Sequence, residues 1–590
     1  MCGICGEIRF DAQEITPDAV YKMSKQMIPR GPDGAGMILQ GKQCLGHRRL
    51  KIVDLSEKSG QPMIDSDLGY SCVFNGMIYN YKEIREELRS AGYNFFSDGD
   101  TEVLIKAYHK WGTGCVERFM GMFAFALVER DSGRVILGRD RLGIKPFYYS
   151  RVNGGMIFAS SLPAILATGQ ISKDIDPVAL HHYMTFHAVV PAPHTILKDV
   201  RKLSPATLLI VEPDGKMDEK KYWNPQYRQF PEDKNRSFDE WQDMVMDSMR
   251  NAVARRMVAD VPVGVLLSGG VDSSLVVGLL AEAGVKDLKT FSIGFESIGG
   301  EAGDEFKYSD VIARHFNTDH HKIMIDSGEA LGSIRDCVRS MSEPMVSHDN
   351  IGFYLLSREV SKHVKVVQSG QGADEIFGGY HWYPPLMDSN NPVEDYARVF
   401  FDSDHKEFAQ AVNPDLVEED FSKIFVRDHF EMEGADLTID KAMRLDSLVM
   451  LVDDPVKRVD NMTMAWGLEA RVPFLDHELV ELAARIPPEY KVGSGGKYVL
   501  KEASRKVIPA DVIDRPKGYF PVPALKYLRG DFLDFVKEVV ADPRSKQRNI
   551  FQQNYLDQLI SKPEESITPL GSSRLWQVAL LELWFQTFNI

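Results

Sequence analysis

The pattern of hydrophobic and polar positions divides the chain into two halves. Up to about residue 210, short apolar runs such as CGICGEIRF, YSCVFNG, MFAFALVER and RVILGRD are bounded by Gly, Pro, Asp or Asn. This pattern predicts strands joined by turns. Helical spacing interrupts it at about 17–28 and 80–91. The first half is therefore predicted to be an α+β domain with much antiparallel sheet.

From about residue 238, strand-like runs alternate with longer helical patterns, as in VPVGVLL, SSLVVGLLAEAG, LKTFSIGF, a helix near 307–316 and HHKIMI. Such alternation predicts a doubly wound α/β domain with a parallel sheet. Beyond about 435 the pattern is mostly helical. The polar segment 213–237 is rich in Pro, Lys and Asp, and reads as an unpacked linker. The predicted domains are thus 1–212 and 238–590.

Composition narrows the class of protein. With 590 residues, 44% hydrophobic and 26% charged, the chain is long enough for several globular domains. The net charge of −16 argues against broad binding to nucleic acid or anionic membranes. No apolar run reaches the roughly 18 residues of a membrane span, and MCGICGEIRF does not resemble a secretory signal. Six scattered cysteines indicate no disulfide framework and favour a cytoplasmic location.

Cys2 is a candidate nucleophile. If Met1 is removed, Cys2 carries a free α-amine with a pKa of about 7.7–8.0, which can act as the base for its own thiol. If Met1 is retained, this mechanism is disabled. On Cys2 alone, an ordinary buried cysteine in a first strand is the favoured interpretation. Cys2 and Cys5 form a C-x-x-C, but a second ligand pair for zinc is missing.

Four further patches, RGPDGAG, HRRLKIVD, FNGMIYN and SDGDTEV, supply groups that suit a glutamine substrate. Arg49 can clamp a carboxylate in bidentate fashion. The Asn75 side chain and the Gly76 backbone N–H can stabilise an oxyanion. Asp100 can bind an ammonium group. Together these groups would recognise an amino acid that carries an extra carbonyl.

On these motifs the first half resembles the glutaminase domain of class II glutamine amidotransferases, an N-terminal-nucleophile hydrolase fold built as an antiparallel sheet sandwich with helices. The resemblance implies that Cys2 is the nucleophile and that Asn75 and Gly76 assist catalysis. It also implies a glutamine site formed by Arg49, Leu50, Lys51, Ile52, Val53, Asn75, Gly76, Met77 and Asp100.

The segment VPVGVLLSGGVDSS at 261–274 reads as a strand, a glycine-containing turn and the start of a helix. Backbone N–H groups, serine hydroxyls and the helix dipole can bind an anion there. The lysine of a Walker A loop is absent. Asp272 is a candidate Mg²⁺ ligand. The alternative is an ordinary strand-to-helix turn.

This loop resembles the pyrophosphatase-type loop of enzymes that split ATP into AMP and pyrophosphate. SGQGADEIFGGY at 369–380, GKYVLKEA at 496–503 and RVDNMTMAWGLEARVPFLD at 458–476 resemble the asparagine synthetase family. The resemblance implies ATP and Mg²⁺, with Lys497 as a catalytic residue and Asp272 and Asp374 as metal ligands. It places ATP at Leu267, Ser268, Gly269, Gly270, Val271, Asp272, Ser273, Ser274, Ile293, Ser369 and Gly370.

The family reaction implies two small-molecule substrates, glutamine and a carboxylate acceptor. Ammonia from Cys2 would cross an internal tunnel and displace AMP from an acyl-adenylate. A homodimer is compatible with the sequence. Asparagine synthetases carry S-G-E-G-A-D-E where this chain has Gln371. A neutral amide cannot accept a proton, so Glu343 and Glu375 are candidates for that role.

MCGICGEIRFD, MSEPMVSHDNIGFYLLSREV and VVQSGQGADE most resemble the N-acetylglutaminylglutamine amidotransferases of this family. These amidotransferases convert the terminal carboxylate of a blocked dipeptide to an amide, and the product is a compatible solute. The loss of a negative charge at Gln371 suits an acceptor that lacks the ammonium group of aspartate. The alternatives are an asparagine synthetase and a non-enzymatic ammonia-binding protein with decayed sites. Cys2, Asp272, Asp374 and Lys497, all intact, argue against decay.

Overall fold

The first half contains two six-stranded antiparallel sheets in the computed structural model, which describes residues 2–296, 303–515, 525 and 528–590. The strand orders are β10-β8-β9-β1-β3-β2 and β12-β11-β7-β6-β5-β4. The strands are β1 Gly3–Arg9, β2 Gly34–Gln40, β3 Gln43–Arg49, β4 Met63–Asp65, β5 Tyr70–Ile78, β6 Gly121–Glu129, β7 Val135–Arg139, β8 Tyr148–Val152, β9 Gly155–Ala159, β10 Val200–Lys202, β11 Thr207–Val211 and β12 Met217–Lys221.

The two sheets pack face to face. Side chains from both sheets, including Ile4, Val73, Ala126 and Phe158, form one buried apolar layer between them. Helices cover the outer faces through separate apolar clusters, α1, α4 and α5 on the β1 side and α2 and α3 on the β5 side. These helices are α1 Asp18–Gln26, α2 Tyr81–Ser90, α3 Asp100–Trp111, α4 Leu162–Leu166 and α5 Pro177–Thr185.

The second half is built around a five-stranded parallel sheet with the order β15-β14-β13-β16-β17. Its central strands are apolar and buried, as expected where helices cover both faces of a sheet. The strands are β13 Val263–Leu266, β14 Lys289–Phe295, β15 Asp319–Ile325, β16 Val366–Gln368 and β17 Glu469–Arg471. The helices around the sheet begin with α6 Phe238–Arg255, α7 Val271–Glu282, α8 Phe306–His315, α9 Ser327–Arg339, α10 Asp349–Val360 and α11 Ala373–Phe377.

Helices make up most of the remaining chain, and the last of them is buried along much of its length. They are α12 Pro392–Phe400, α13 His405–Ala411, α14 Phe421–Glu431, α15 Thr438–Leu445, α16 Lys457–Met464, α17 His477–Arg485, α18 Pro488–Val492, α19 Tyr498–Ser504, α20 Ala510–Ile513, α21 Gly530–Ala541, α22 Pro543–Arg548, α23 Gln553–Ser561 and α24 Arg574–Phe588. None of the described helices combines the length and apolar character that crossing a bilayer demands.

The antiparallel first half, the parallel second half and the helical end agree with the expected pattern. The predicted linker 213–237 differs, because part of it is packed. Strand β12 pairs with β11 between residues 207 and 221. Further on, the Tyr227 side chain is 1% exposed and its backbone N–H donates to the Gly434 carbonyl oxygen at 2.7 Å. The polar composition of β12 did not indicate a strand, because β12 lies at the edge of its sheet and is mostly exposed to solvent.

Candidate active sites

Cys2 lies directly before β1, with 8% of the residue exposed. Its backbone N–H donates to Asn75 Oδ1 at 2.9 Å. This contact fixes the amide of Asn75, whose buried Nδ2 has no hydrogen-bond partner among the described residues. Burial raises the pKa of the Cys2 thiol, although a hydrogen bond from the Leu50 backbone favours the thiolate. The thiol therefore needs a base. Met1 lies outside the described residues, so its removal stays a prediction.

Gly76 and Asp100 lie close to Asn75 because β5 runs alongside β6 and α3. A Cβ at residue 76 would lie 2.2 Å from the Met122 carbonyl oxygen, so only glycine fits this strand pairing. Asp100 begins α3 and accepts a hydrogen bond from the Ile78 N–H at 3.0 Å. Burial raises the pKa of Asp100 to about 6. An ammonium group bound there would favour the ionised form.

The Arg49 side chain, which was predicted to clamp a substrate carboxylate, contacts a nearby loop. Its guanidinium donates to the Ser56 carbonyl oxygen at 2.7 Å and to that of Asp54. A guanidinium has five donors, so further donors remain for a substrate. The other predicted glutamine-site residues follow or face this strand end: Leu50, Ile52 and Met77 are buried, Val53 is partly buried, and Lys51 pairs with Glu57.

The predicted ATP loop joins β13 to α7. Ser273 Oγ accepts a hydrogen bond from the Ser268 backbone N–H at 3.2 Å, which tightens the turn. Gly269 has φ +77°, and a Cβ there would lie 2.6 Å from the backbone nitrogen of Ser309 on α8. Glycine is required by both the conformation and the close approach. Gly270, Val271, Asp272 and Ser273, where α7 starts, line the adjacent cavity.

Lys497 joins the two predicted metal ligands. Its Nζ lies 2.7 Å from Asp272 Oδ2 and 2.9 Å from Asp374 Oδ2. Burial alone would lower the pKa of Lys497, but the two carboxylates outweigh it and raise this pKa above its ordinary value. Two carboxylates beside a phosphate-binding loop match the hard oxygen ligands that Mg²⁺ prefers. These residues therefore fit Mg²⁺, and Asp272 and Asp374 would hold it.

Lys497, Asp272 and Asp374 line one cavity of about 340 Å³. Of the predicted ATP residues, Gly269 and Ser274 lie outside its lining. Gly269 packs on α8, and Ser274 is fully buried. The remaining predicted residues line it: Leu267, Ser268, Gly270, Val271, Asp272, Ser273, Ile293, Ser369 and Gly370.

Sequence reasoning missed several residues of this cavity. Arg515 lines it and pairs with Glu305 at 2.8 Å. Tyr380 and Phe353 add an aromatic wall. Tyr380 is part of the quoted SGQGADEIFGGY and Phe353 of MSEPMVSHDNIGFYLLSREV, so the motifs marked these segments but not the side chains that face the cavity. Arg515 lies in no quoted motif, and nothing in the sequence signalled it.

The two candidate replacements for the family glutamate lie in different places. Gln371 and Glu375 both line the cavity. Burial, together with Asp374, raises the pKa of Glu375 to about 7. Glu343 is absent from the cavity lining and instead pairs with Lys202 at 3.2 Å, in the contact between the two halves. The structure therefore does not support Glu343 as a base near the acceptor.

Buried ion pairs link the two halves of the chain near Cys2. Arg30 Nε donates to the Cys2 carbonyl oxygen at 3.3 Å, and Arg30 NH1 pairs with Asp460 at 2.9 Å. Lys145 pairs with the other oxygen of Asp460 at 3.2 Å. All three side chains are less than 10% exposed. The main chain of Cys2 is thus held by a side chain that is itself fixed by the second half.

Comparisons with known proteins agree with this arrangement. The family model for the glutamine amidotransferase domain matches residues 1–223, and that for asparagine synthase matches residues 244–586. Asparagine synthetase [glutamine-hydrolyzing] 1 from Bacillus subtilis is 31% identical, over 99% of this chain and 96% of its own. Asparagine synthetase B [glutamine-hydrolyzing] from Escherichia coli is 28% identical, over 93% of this chain and 86% of its own.

Among solved structures, the B. subtilis glutamine phosphoribosylpyrophosphate amidotransferase covers 57% of this chain at 15% identity. Its TM-score of 0.31 is too low to support an argument.

The protein is a carbon–nitrogen ligase with glutamine as the amido donor. More particularly, the chain belongs to the asparagine synthetase family. ATP is a substrate of members of this family.

Proposed function

We propose that Cys2 hydrolyses glutamine and supplies ammonia to the second half of the chain. The Cys2 sulfur attacks the glutamine side-chain carbonyl, and the Cys2 α-amine takes the thiol proton. Asn75 Nδ2 and the Gly76 N–H bind the resulting oxyanion. On collapse, the Cys2 α-ammonium returns the proton to the leaving nitrogen, so ammonia departs and a thioester remains. Water then hydrolyses the thioester to glutamate. The free Nδ2 of Asn75, oriented through Cys2 itself, is the observation that supports this step.

The cavity around Lys497 is proposed to form the acyl-adenylate. The acceptor carboxylate attacks the α-phosphorus of ATP, and pyrophosphate leaves. The ammonium group of Lys497 neutralises charge that develops on the α-phosphate. Mg²⁺, when bound, neutralises charge on the phosphates. The single observation that carries the ligase function is the placement of Lys497 between Asp272 and Asp374, beside the loop 268–273.

N-acetylglutaminylglutamine is the proposed acceptor. Gln371 lines the cavity where asparagine synthetases carry a glutamate, so the acceptor side has one negative charge fewer. A blocked dipeptide has no ammonium group that needs this charge, and its amides can hydrogen-bond to an amide side chain. The product would be a dipeptide amide that serves as an osmolyte. We also propose a cytoplasmic location, which six free and buried cysteines support.

ATP–pyrophosphate exchange tests the acceptor directly. Each carboxylate is offered singly to the full-length protein, without glutamine. We expect exchange with N-acetylglutaminylglutamine far above that with aspartate. Gln371→Glu should weaken the dipeptide reaction, because the new carboxylate repels the acceptor's own carboxylate.

The second candidate is asparagine synthesis from aspartate, which the names of the relatives favour. Exchange with aspartate and none with the dipeptide would establish this alternative and overturn the dipeptide proposal.

A further inference from the structure

Two histidines and one aspartate come together outside the residues that form the two candidate active sites. His181 lies on α5 of the first half, His405 begins α13, and Asp420 precedes α14. One ligand atom from each lies within 4.8 Å of the others. His181 Nε2 is 3.1 Å from His405 Nδ1 and 3.9 Å from Asp420 Oδ1. We propose that these three side chains bind a divalent transition metal of the Zn²⁺ type that joins the two halves of the chain.

The distances between the ligand atoms suit one small ion. At a Zn–N distance of about 2.0–2.1 Å, two tetrahedral ligands lie roughly 3.3 Å apart. The two imidazole nitrogens already have nearly this separation, and Asp420 Oδ1, which lies 3.9 Å from His181 Nε2, would move closer to the ion. Imidazole and carboxylate donors suit Zn²⁺ better than Mg²⁺ or Ca²⁺, which take mainly oxygen ligands. Three protein ligands leave a fourth position for water.

The surroundings of His181 fix the ring for this role. Its Nδ1 lies 3.2 Å from Ser422 Oγ and 3.3 Å from Thr185 Oγ1. The Thr185 hydroxyl donates to the His181 carbonyl oxygen at 2.8 Å, so Thr185 Oγ1 can accept the Nδ1 proton. A protonated Nδ1 leaves the Nε2 lone pair facing His405 and Asp420. Metal-binding histidines are commonly oriented by such a hydrogen bond from the other ring nitrogen.

The site lies on a seam between the two halves. Next to it, the Asp402 N–H donates to the Thr185 carbonyl oxygen at 2.9 Å, and Ser403 Oγ donates to that of Met184 at 2.9 Å. Phe408 packs against the His181 ring, with centroids 4.6 Å apart. Because the ligands come from both sides of this seam, a bound ion would stabilise the contact and the folded chain.

Metal titration of the untagged full-length protein tests the proposal. Chelator-stripped protein is titrated with Zn²⁺ against a chromophoric competitor, and separately with Co²⁺. We expect about one tightly bound Zn²⁺ per chain, visible Co²⁺ absorption typical of low coordination number, and a higher Tm with Zn²⁺. His405→Gln and Asp420→Asn should each weaken Zn²⁺ binding at least about tenfold and abolish the Tm increase.

The variants are chosen to leave the fold intact. Asparagine is a good N-cap, so Asp420→Asn should preserve the cap that accepts from the Lys423 N–H. His315→Gln, at an exposed position on α8, is the matched control and should bind Zn²⁺ like the unmodified protein. Less than about a tenth of an equivalent of Zn²⁺, or unchanged binding by His405→Gln and Asp420→Asn, would overturn the proposal.

Discussion

The two ends of the Asn75 side-chain amide have different environments. Its Oδ1 accepts from the Cys2 backbone, while its buried Nδ2 lacks a partner among the described residues. A buried donor without a partner costs about 1–3 kcal/mol. The oxyanion would repay this cost only when it forms, which is the condition for catalysis.

Asn75→Asp tests this division of roles. The carboxylate can still accept from Cys2, but it cannot donate to an oxyanion. We expect the glutaminase kcat to fall by about 10²–10³-fold, the usual cost of one oxyanion donor. Synthesis with ammonium as the nitrogen source should persist. Loss of both activities would show that Asn75 supports the fold and not the oxyanion.

If Asp100 binds the ammonium group of glutamine as proposed, glutamine binding should depend on pH. Burial raises the pKa of Asp100 to about 6, so the free carboxyl group takes up a proton below that pH. Only the ionised form attracts the ammonium group of glutamine, whose own charge is constant over this range. Glutamine binding to the Cys2→Ala variant should therefore weaken about tenfold per pH unit below about 6. Calorimetry between pH 5 and 8 measures the affinity for glutamine. An affinity that does not change with pH would exclude Asp100 as the partner of the ammonium group.

Short motifs singled out Cys2, Asn75, Asp272 and Lys497, because each residue carries a distinct chemistry. The structure brings Cys2 beside Asn75 and Lys497 beside Asp272, and the roles of these residues stay predictions. Side-chain direction could not be predicted in the same way. Arg49 donates to carbonyl groups of its own loop, and no motif indicated these contacts. Glu343 was expected near the acceptor but lies in an ion pair with Lys202. Both depend on contacts that only the fold creates.

Among the elements, the turn after α11 packs against Asp374 and Lys497. Gly379 in this turn has no room for a side chain. A Cβ there would be 2.1 Å from Asp374 Oδ1 and 2.4 Å from Lys497 Cε. Helix α11 and the start of α19 can approach this closely only because residue 379 has no side chain. The short motif GG at 378–379 is thus a packing requirement of the site.

Gly379→Ala should therefore displace Lys497 or Asp374. We expect ATP–pyrophosphate exchange to fall by at least about 10²-fold, while glutamine hydrolysis persists. Gly332→Ala on α9 is the matched control, since a Cβ there meets nothing within 4 Å. That change should leave exchange unaltered and raise the free energy of unfolding by about 0.5–1 kcal/mol. Equal exchange activity in the two variants would contradict this account of Gly379.

At the scale of the whole molecule, Asp460 connects the two halves through Arg30 and Lys145. Arg30 and Asp460 are 430 residues apart in sequence, so no local pattern could have paired them. Periodicity predicted the antiparallel and parallel sheets and the helices near 17–28, 80–91 and 307–316, because that signal is local. It could not predict the interdomain contact, which depends on long-range packing.

Asp460→Asn removes one partner from two buried cations. We expect a loss of about 3–5 kcal/mol in the free energy of unfolding, because each cation stays buried without its carboxylate. More glutamate should form per molecule of amide product, since the contact that aligns Cys2 with the second half is weakened. Asp243→Asn, in an exposed pair with Lys506, is the control and should change neither quantity. An unchanged ratio of glutamate to amide product in Asp460→Asn would show that this contact does not align the two sites.

Transfer of nitrogen from glutamine to the acceptor tests the central claim most directly. The unmodified protein is given glutamine labelled with ¹⁵N in its amide, ATP, unlabelled ammonium and N-acetylglutaminylglutamine, and the product is analysed by mass spectrometry. We expect the ¹⁵N label in the dipeptide amide and equal amounts of AMP and pyrophosphate. In Cys2→Ala the amide should instead carry only unlabelled nitrogen. Label found solely in free ammonium, with no amide formed from the dipeptide or from aspartate offered in its place, would contradict a ligase that channels ammonia from Cys2 to the Lys497 cavity.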